Sequence, residues 1–200
     1  MPERFNLAVL LEVADDRAIR SDLLRCIANT FANWLSEPTE ILLLDCHSSD
    51  SQRLSWHESA DVRTRFLTAS EIMSIYYDSV DNSKNGKFVL SISANSSASI
   101  YTISFPDTDI AKNRKELFHL LMEQYLSISN FGVHCVVAAG PELEIDPTAR
   151  SITDVITCAS ENSSLVDFLA CEKDALPTAH KFLLMQRRDS SAVYMRDHRL

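Results

Sequence analysis

The residues of this 200-residue chain best suited by type to chemistry start at Asp45-Cys46-His47, which leaves the C-terminal end of the apolar run EILLLD. Strand ends of this kind are where α/β proteins place functional groups, and a thiolate activated by a histidine would be a nucleophile. Adjacent residues of extended chain point to opposite faces, so His47 is badly placed to deprotonate Cys46, and the same geometry separates His134 from Cys135. A hydrolase or transferase built on Cys46 would need His57 or His134 brought in by the fold, with Asp45 and Asp107 as the available carboxylates. The plainer role for such a cysteine is that of a small buried hydrophobe.

Other spacings fall short of a site. Glu116-Leu117-Phe118-His119 is a Glu-x-x-His pair on a predicted helix, but a di-metal bundle needs a second copy and two further glutamate helices, and surface ion pairing accounts for a single copy. His57-Glu58-Ser59-Ala60-Asp61 lacks the last ligand of H-E-x-x-H. Pro106-Asp107 invites comparison with restriction-endonuclease-like nucleases, yet no Asp/Glu-x-Lys follows: Pro141-Glu142-Leu143-Glu144 has no lysine and Glu172-Lys173 lacks the spacer. The chain holds three glycines, Gly86, Gly132 and Gly140, where about fourteen is usual. A phosphate loop, a Rossmann turn and a nucleophile elbow each need glycine where φ is positive or a phosphate comes close, and none of those motifs is present. No cofactor is expected.

The carboxylates form the stronger pattern. Glu142, Glu144 and Asp146 share one face if their segment is extended, with Leu143 and Ile145 on the other. Asp107 and Asp109 add the same sign, as do Asp45, Asp50, Glu58 and Asp61 around Trp56, an aromatic anchor in a segment without periodicity. Like charges repel and do not help a chain fold, so together these residues mark a surface that captures a basic partner. Each cluster taken alone also fits a solvated face or a helix cap.

Composition narrows the partner. A formal charge of −9, from 28 acidic and 19 basic residues, repels phosphate backbones and excludes nucleic acid as the expected ligand. Five cysteines, odd in number and never spaced C-x-x-C, suit neither a disulfide framework nor a zinc ribbon, and point to a reducing cytosol. The opening MPERFNLAVLLEVADD reads as a first strand rather than a signal peptide, and no apolar run reaches the ~18 residues that cross a bilayer. At 46% hydrophobic the chain can fill one core, giving a single domain over 1–200 or one with 147–200 as a smaller C-terminal lobe.

The elements that must position these residues follow from periodicity. Phe5 to Val13 alternates as a strand, Asp15 or Asp16 caps a helix with Ile19, Leu23, Ile27 and Phe31 on one stripe, and Glu40 to Asp45 reads as a strand covered on both faces. The chain so opens β-α-β. Residues 46–61 read as one long connection. Thr68-Ala69-Ser70-Glu71 matches a capping box and predicts a helix carrying Ile72, Ile75 and Tyr76. Lys87 to Ser93 and Ser99 to Phe105 make a hairpin whose faces are Phe88/Leu90/Ile92 and Ile100/Thr102/Ser104 or their alternates. Asp107 to Asp109 caps a long helix with Leu117, Leu121 and Tyr125 inward and His119 and Glu123 outward, and Val133 to Ala139 is a strand. Ile152 to Cys158 and Leu165 to Ala170 fit strand or short helix alike, and Lys181 to Met185 leads into a basic tail. The order favours α+β architecture, helices packed on a mixed or largely antiparallel sheet.

A small acidic chain without disulfides or motif chemistry resembles the bacterial immunity proteins encoded beside type VI secretion effectors and polymorphic toxins. The resemblance lies in the kind of chain, over its whole length, and brings no functional residues with it. It implies a non-enzymatic, cytoplasmic inhibitor that covers the active site of a cognate toxin with a basic surface, with no role for membrane, metal or nucleic acid and with homo-oligomerisation left open. A secretion chaperone or structural subunit would share the absence of chemistry and would show an exposed apolar groove.

Overall fold

The computed structural model describes residues 4–13, 17–31, 35–44, 51–56, 72–79, 88–94, 98–106, 114–129, 134–143, 145, 149–161, 166–172, 182–188 and 191–196. Ten strands organise them: β1 (Arg4–Leu11), β2 (Leu35–Leu44), β3 (Ser51–Ser55), β4 (Ile72–Ser79), β5 (Phe88–Ala94), β6 (Ser99–Pro106), β7 (Cys135–Pro141), β8 (Phe168–Glu172), β9 (Phe182–Arg188) and β10 (Ser191–Arg196). They form one sheet in the order β3-β2-β4-β5-β6-β1-β7-β8-β10-β9, antiparallel at every pairing. The described helices are α1 (Arg17–Thr30), α2 (Arg114–Ser129) and α3 (Ile152–Glu161).

The α+β expectation is overturned: one broad antiparallel sheet carries the architecture, and the described helices are few and short. β1 and β2 are not neighbours, because β4, β5 and β6 stand between them, so the opening β-α-β order makes no paired unit. The expected helix carrying Ile72, Ile75 and Tyr76 is strand β4, and its expected capping box, Thr68 to Glu71, lies outside the described residues. Its apolar residues fit a helical stripe, but they also alternate as Met73, Ile75 and Tyr77, and its β-branched and aromatic side chains suit a pleated surface gripped by β2 and β5 on either side. The supposed loop at 46–61 contains β3, an edge strand with Leu54 as its single apolar residue and therefore no visible pattern. In the ambiguous C-terminal stretch α3 is a helix, 168–172 is a strand, and the basic tail pairs as the β9–β10 hairpin.

β1 is at the middle of the sheet because its sequence is apolar on both faces. Phe5, Leu7, Val9 and Leu11 enter the larger core cluster with Leu23, Ile27 and Phe31 of α1 and its end and with Met122, Tyr125 and Ile128 of α2. Ala8 and Leu10 enter a second cluster on the opposite face with Ile152, Val155 and Ile156 of α3. In the larger core Phe5 stacks on Phe105 at 5.4 Å, and Phe88 and Phe31 close around the same ring at 5.8 and 6.4 Å. These rings join β1, α1, β5 and β6 into one unit, each contact adding to area burial.

α3 starts on a reciprocal cap. Ser151 Oγ accepts from the Asp154 N–H at 3.2 Å, while Asp154 Oδ2 accepts from the N–H groups of Arg150 and Ser151 at 2.9 and 3.0 Å. Glu12, just past β1, adds its Oε1 to the Ile152 N–H at 2.7 Å and so ties the helix to the end of the central strand.

Candidate functional site

The described elements cover the sheet's second face along only part of its width. From β1 to β10 it is apolar and packs against α3. The row Ala8, Ala138 and Leu169 continues through Thr102, Ser91, Ser74 and Leu42 to Arg53, register partner by register partner, across β6, β5, β4, β2 and β3. Over that second stretch no described helix packs. Alternation decides which side chains it shows: Ile41, Leu43, Ile75, Leu90 and Ile92 turn into the larger core, so their neighbours turn outward.

Those outward residues are mostly short hydroxyls. Ser74 and Ser91 are 2.9 Å apart, Oγ to Oγ. In the next row Arg4 Nε donates to Ser104 Oγ at 2.5 Å and its terminal nitrogen to the Ser104 carbonyl at 2.9 Å. Arg53 reaches from the edge strand, 3.6 Å from Glu40 and 5.7 Å above the centre of the Tyr76 ring. Ser74 with Ser91 and Arg4 with Ser104 are hydrogen-bonded within this face, and Arg4, Glu40, Arg53 and Tyr76 are its long side chains.

Of the acidic residues singled out from the sequence, Asp45, Asp50, Glu58, Asp61, Asp107, Asp109, Glu144 and Asp146 lie outside the described residues, as do Cys46, His47 and His57. Trp56 is half-buried, with its ring against the larger core, and its backbone N–H donates to the Thr39 carbonyl at 3.0 Å. Glu142 is exposed and bonded within the fold: its N–H donates to the Arg4 carbonyl at 2.8 Å and its Oε1 accepts from the Arg4 N–H at 2.7 Å. Leu143 and Ile145 beside it turn to the second core cluster.

The described groups with reactive potential are quiet. Burial pushes the Cys135 and Cys171 thiols up to about 12, and the half-buried Cys26 thiol is also raised, chiefly by desolvation. All three stay protonated near neutral pH and lack the thiolate that attacks. His134 is exposed and hydrogen-bonded to Glu172, which raises its pKa, and Glu12 acts in the same direction. Among the described residues no group of three or more His, Cys, Asp or Glu is arranged to hold a metal ion, and no described helix is long and apolar enough to cross a membrane.

The fold is similar to a known one. The solved structure of the Pseudomonas aeruginosa T6SS protein PA0821 superposes with a TM-score of 0.52 at 10% sequence identity, covering 96% of this chain and 65% of that one. At that identity the likeness is one of fold. This chain therefore spans about two thirds of the length of the protein it matches. No protein-family model matches the sequence, and none of the curated proteins does.

The open half-face was not singled out in the sequence, although part of its signal was there. Phe88/Leu90/Ile92 is the inward set of β5 as read. In β6 the larger core takes the alternates Tyr101, Ile103 and Phe105, which turns Thr102 and Ser104 outward beside the serines of β5. The missing piece was β4, since a helix there dissolves the face.

Proposed function

We propose that this chain is a non-enzymatic binding protein of type VI secretion, an immunity protein that neutralises a cognate toxin by covering its active site. The observation that carries the proposal is the fold shared with a protein named for that system. Three features of the chain support it. The formal charge is −9, which speeds encounter with a basic partner. The described thiols are protonated and the described histidine at a strand end is committed to Glu172. Along β6, β5 and β4 the second sheet face carries hydroxyls paired within the fold, with no described helix packed on them.

The acidic positions Asp45, Asp50, Glu58, Asp61, Asp107, Asp109, Glu144 and Asp146 steer the encounter, while Glu142 serves the fold as well. The toxic domain of the effector encoded beside this gene is the test partner. Mixed with the purified chain, it forms a stable 1:1 complex on size exclusion and loses its toxicity. A neighbour that fails to co-purify at moderate salt, or one that belongs to a metabolic operon, overturns the proposal.

A further inference from the structure

We infer that His134 is a proton-operated fastener of the seam between β7 and β8, holding it closed when the imidazole is charged and loosening it when the imidazole is neutral. The seam is the shortest ladder of the sheet. β7 and β8 pair over three positions, Val137 with Ala170, Ala138 with Leu169 and Ala139 with Phe168, whereas the other neighbouring strands are in register over five to eight. β10 and β9 reach the rest of the sheet through β8, so three outer strands hang on this joint. At one end the Asp167 N–H donates to the Ala139 carbonyl at 2.9 Å and prolongs the ladder. At the other end the register stops short of Cys135 and Glu172, and a side-chain bond takes over: His134 Nδ1, just before β7, meets Oε1 of Glu172, the last residue of β8.

Position and charge turn this contact into a switch. The His134 carbonyl accepts from the Glu12 N–H at 2.9 Å, so the imidazole is anchored to the end of β1 while Glu172 belongs to the outer strands. Among the described residues the charged groups acting on the ring are Glu172 first and then Glu12, both carboxylates. Lys173 and Asp174, next to Glu172 in the chain, lie outside the described residues. Glu12 is held in place by the Ile152 N–H of α3, 2.7 Å from its Oε1, so Glu172 is the carboxylate that leaves. A charged imidazole attracts both anions, and a neutral one leaves them facing each other across an uncharged bond. The bond to Glu172 raises the His134 pKa, so the fastening is complete below the ordinary value of about 6.5 and fades as pH rises through the folded value. Phe168 and Ala170 in the larger core and Leu169 and Cys171 in the second keep the seam packed at either pH, so the proton governs the frequency of local opening rather than unfolding.

Native-state hydrogen exchange of the full chain, read as protection factors at about pH 5.5 and about pH 8 on either side of the histidine value, is the test. The β8 amides lose about threefold in protection between the two, as suits an exposed ion pair, while the β1 and β6 amides hold constant. Glu172→Gln keeps an acceptor oxygen but not the charge and flattens the β8 profile, whereas Glu12→Gln leaves a pH dependence in place. Should Glu172→Gln disturb the fold, His134→Gln carries no group that titrates in this range and gives the same flat profile. Equal losses in β1, β6 and β8 mean that the pair stabilises the whole fold and not the seam, which overturns the inference. A β8 profile that ignores pH, or a pH dependence that survives both Glu172→Gln and His134→Gln, overturns it as well.

Discussion

Gln124 is fully buried on α2, and neither its amide nitrogen nor its amide oxygen has a hydrogen-bond partner. An amide stripped of water and left unpaired costs about 1–3 kcal/mol, so Gln124→Met, similar in size and without the polar atoms, raises stability by about 1 kcal/mol. A urea midpoint that moves up with an unchanged slope records it; a midpoint that falls shows that the amide has a use. His134 makes the opposite point. Its hydrogen bond to Glu172 raises its pKa, so the pair stabilises the fold fully below the ordinary histidine value of about 6.5 and that contribution is lost as pH rises through the folded value. NMR titration finds His134 above about 6.5, and Glu172→Gln brings it down; a curve that does not move removes the pair from the account. Glu142 sits at φ 52°, a region disfavoured for any residue with a Cβ, and holds the start of β1 through both its N–H and its carboxylate. Its charge reversal therefore mixes a folding effect with any effect on steering, which makes Glu144 and Asp146 the cleaner pair for binding kinetics.

Two elements set the sheet. β1 feeds both cores, and its fully buried Leu7 lies in the larger one. Leu7→Ala leaves a cavity between α1, α2 and the central strands and costs about 2–5 kcal/mol, read as a lowered denaturant midpoint; a smaller loss means that the site collapses around the change. α3 closes the second face, and its first turn depends on Ser151 and Asp154. Ser151→Ala costs about 1 kcal/mol. The Asp154 carboxyl is held below its ordinary value, first by the Arg150 N–H, so its support for α3 is present above that ordinary value and is lost as pH falls through the folded one. Elements were legible where one pattern dominated: the four-residue stripe of Leu23, Ile27 and Phe31 reads as a helix and is one, and the alternation of β5 reads as a strand and is one. β4 was not legible, because Ile72, Ile75 and Tyr76 satisfy a 3.6-residue period while Met73, Ile75 and Tyr77 satisfy a 2-residue one, and only the flanking strands choose between them.

At the scale of the molecule, charge acts at the encounter stage of recognition. If carboxylates steer the partner, reversing Glu144 and Asp146, or Asp107 and Asp109, slows association more than it speeds dissociation, and raising salt toward about 0.5 M does the same to the wild-type chain. Association rates that ignore both changes remove those residues from the encounter surface. Among the described residues, α1 and α2 pack on one face of the ten-stranded sheet and α3 on part of the other, and strands β5 and β6 carry no charged residue.

Read alone, the chain of amino acids settled the net charge, the lack of glycine loops and the local period of its clearest helices and strands, since each depends on residues near one another in sequence or on a simple sum. Tertiary structure alone decided that β1 sits between β6 and β7 rather than beside β2, that 72–79 is extended, and that the described helices leave half of one sheet face uncovered. Strand order and coverage depend on pairings between residues far apart in the chain, and an alternating strand carries no mark that says which neighbour it will pair with or what will lie across its outer side.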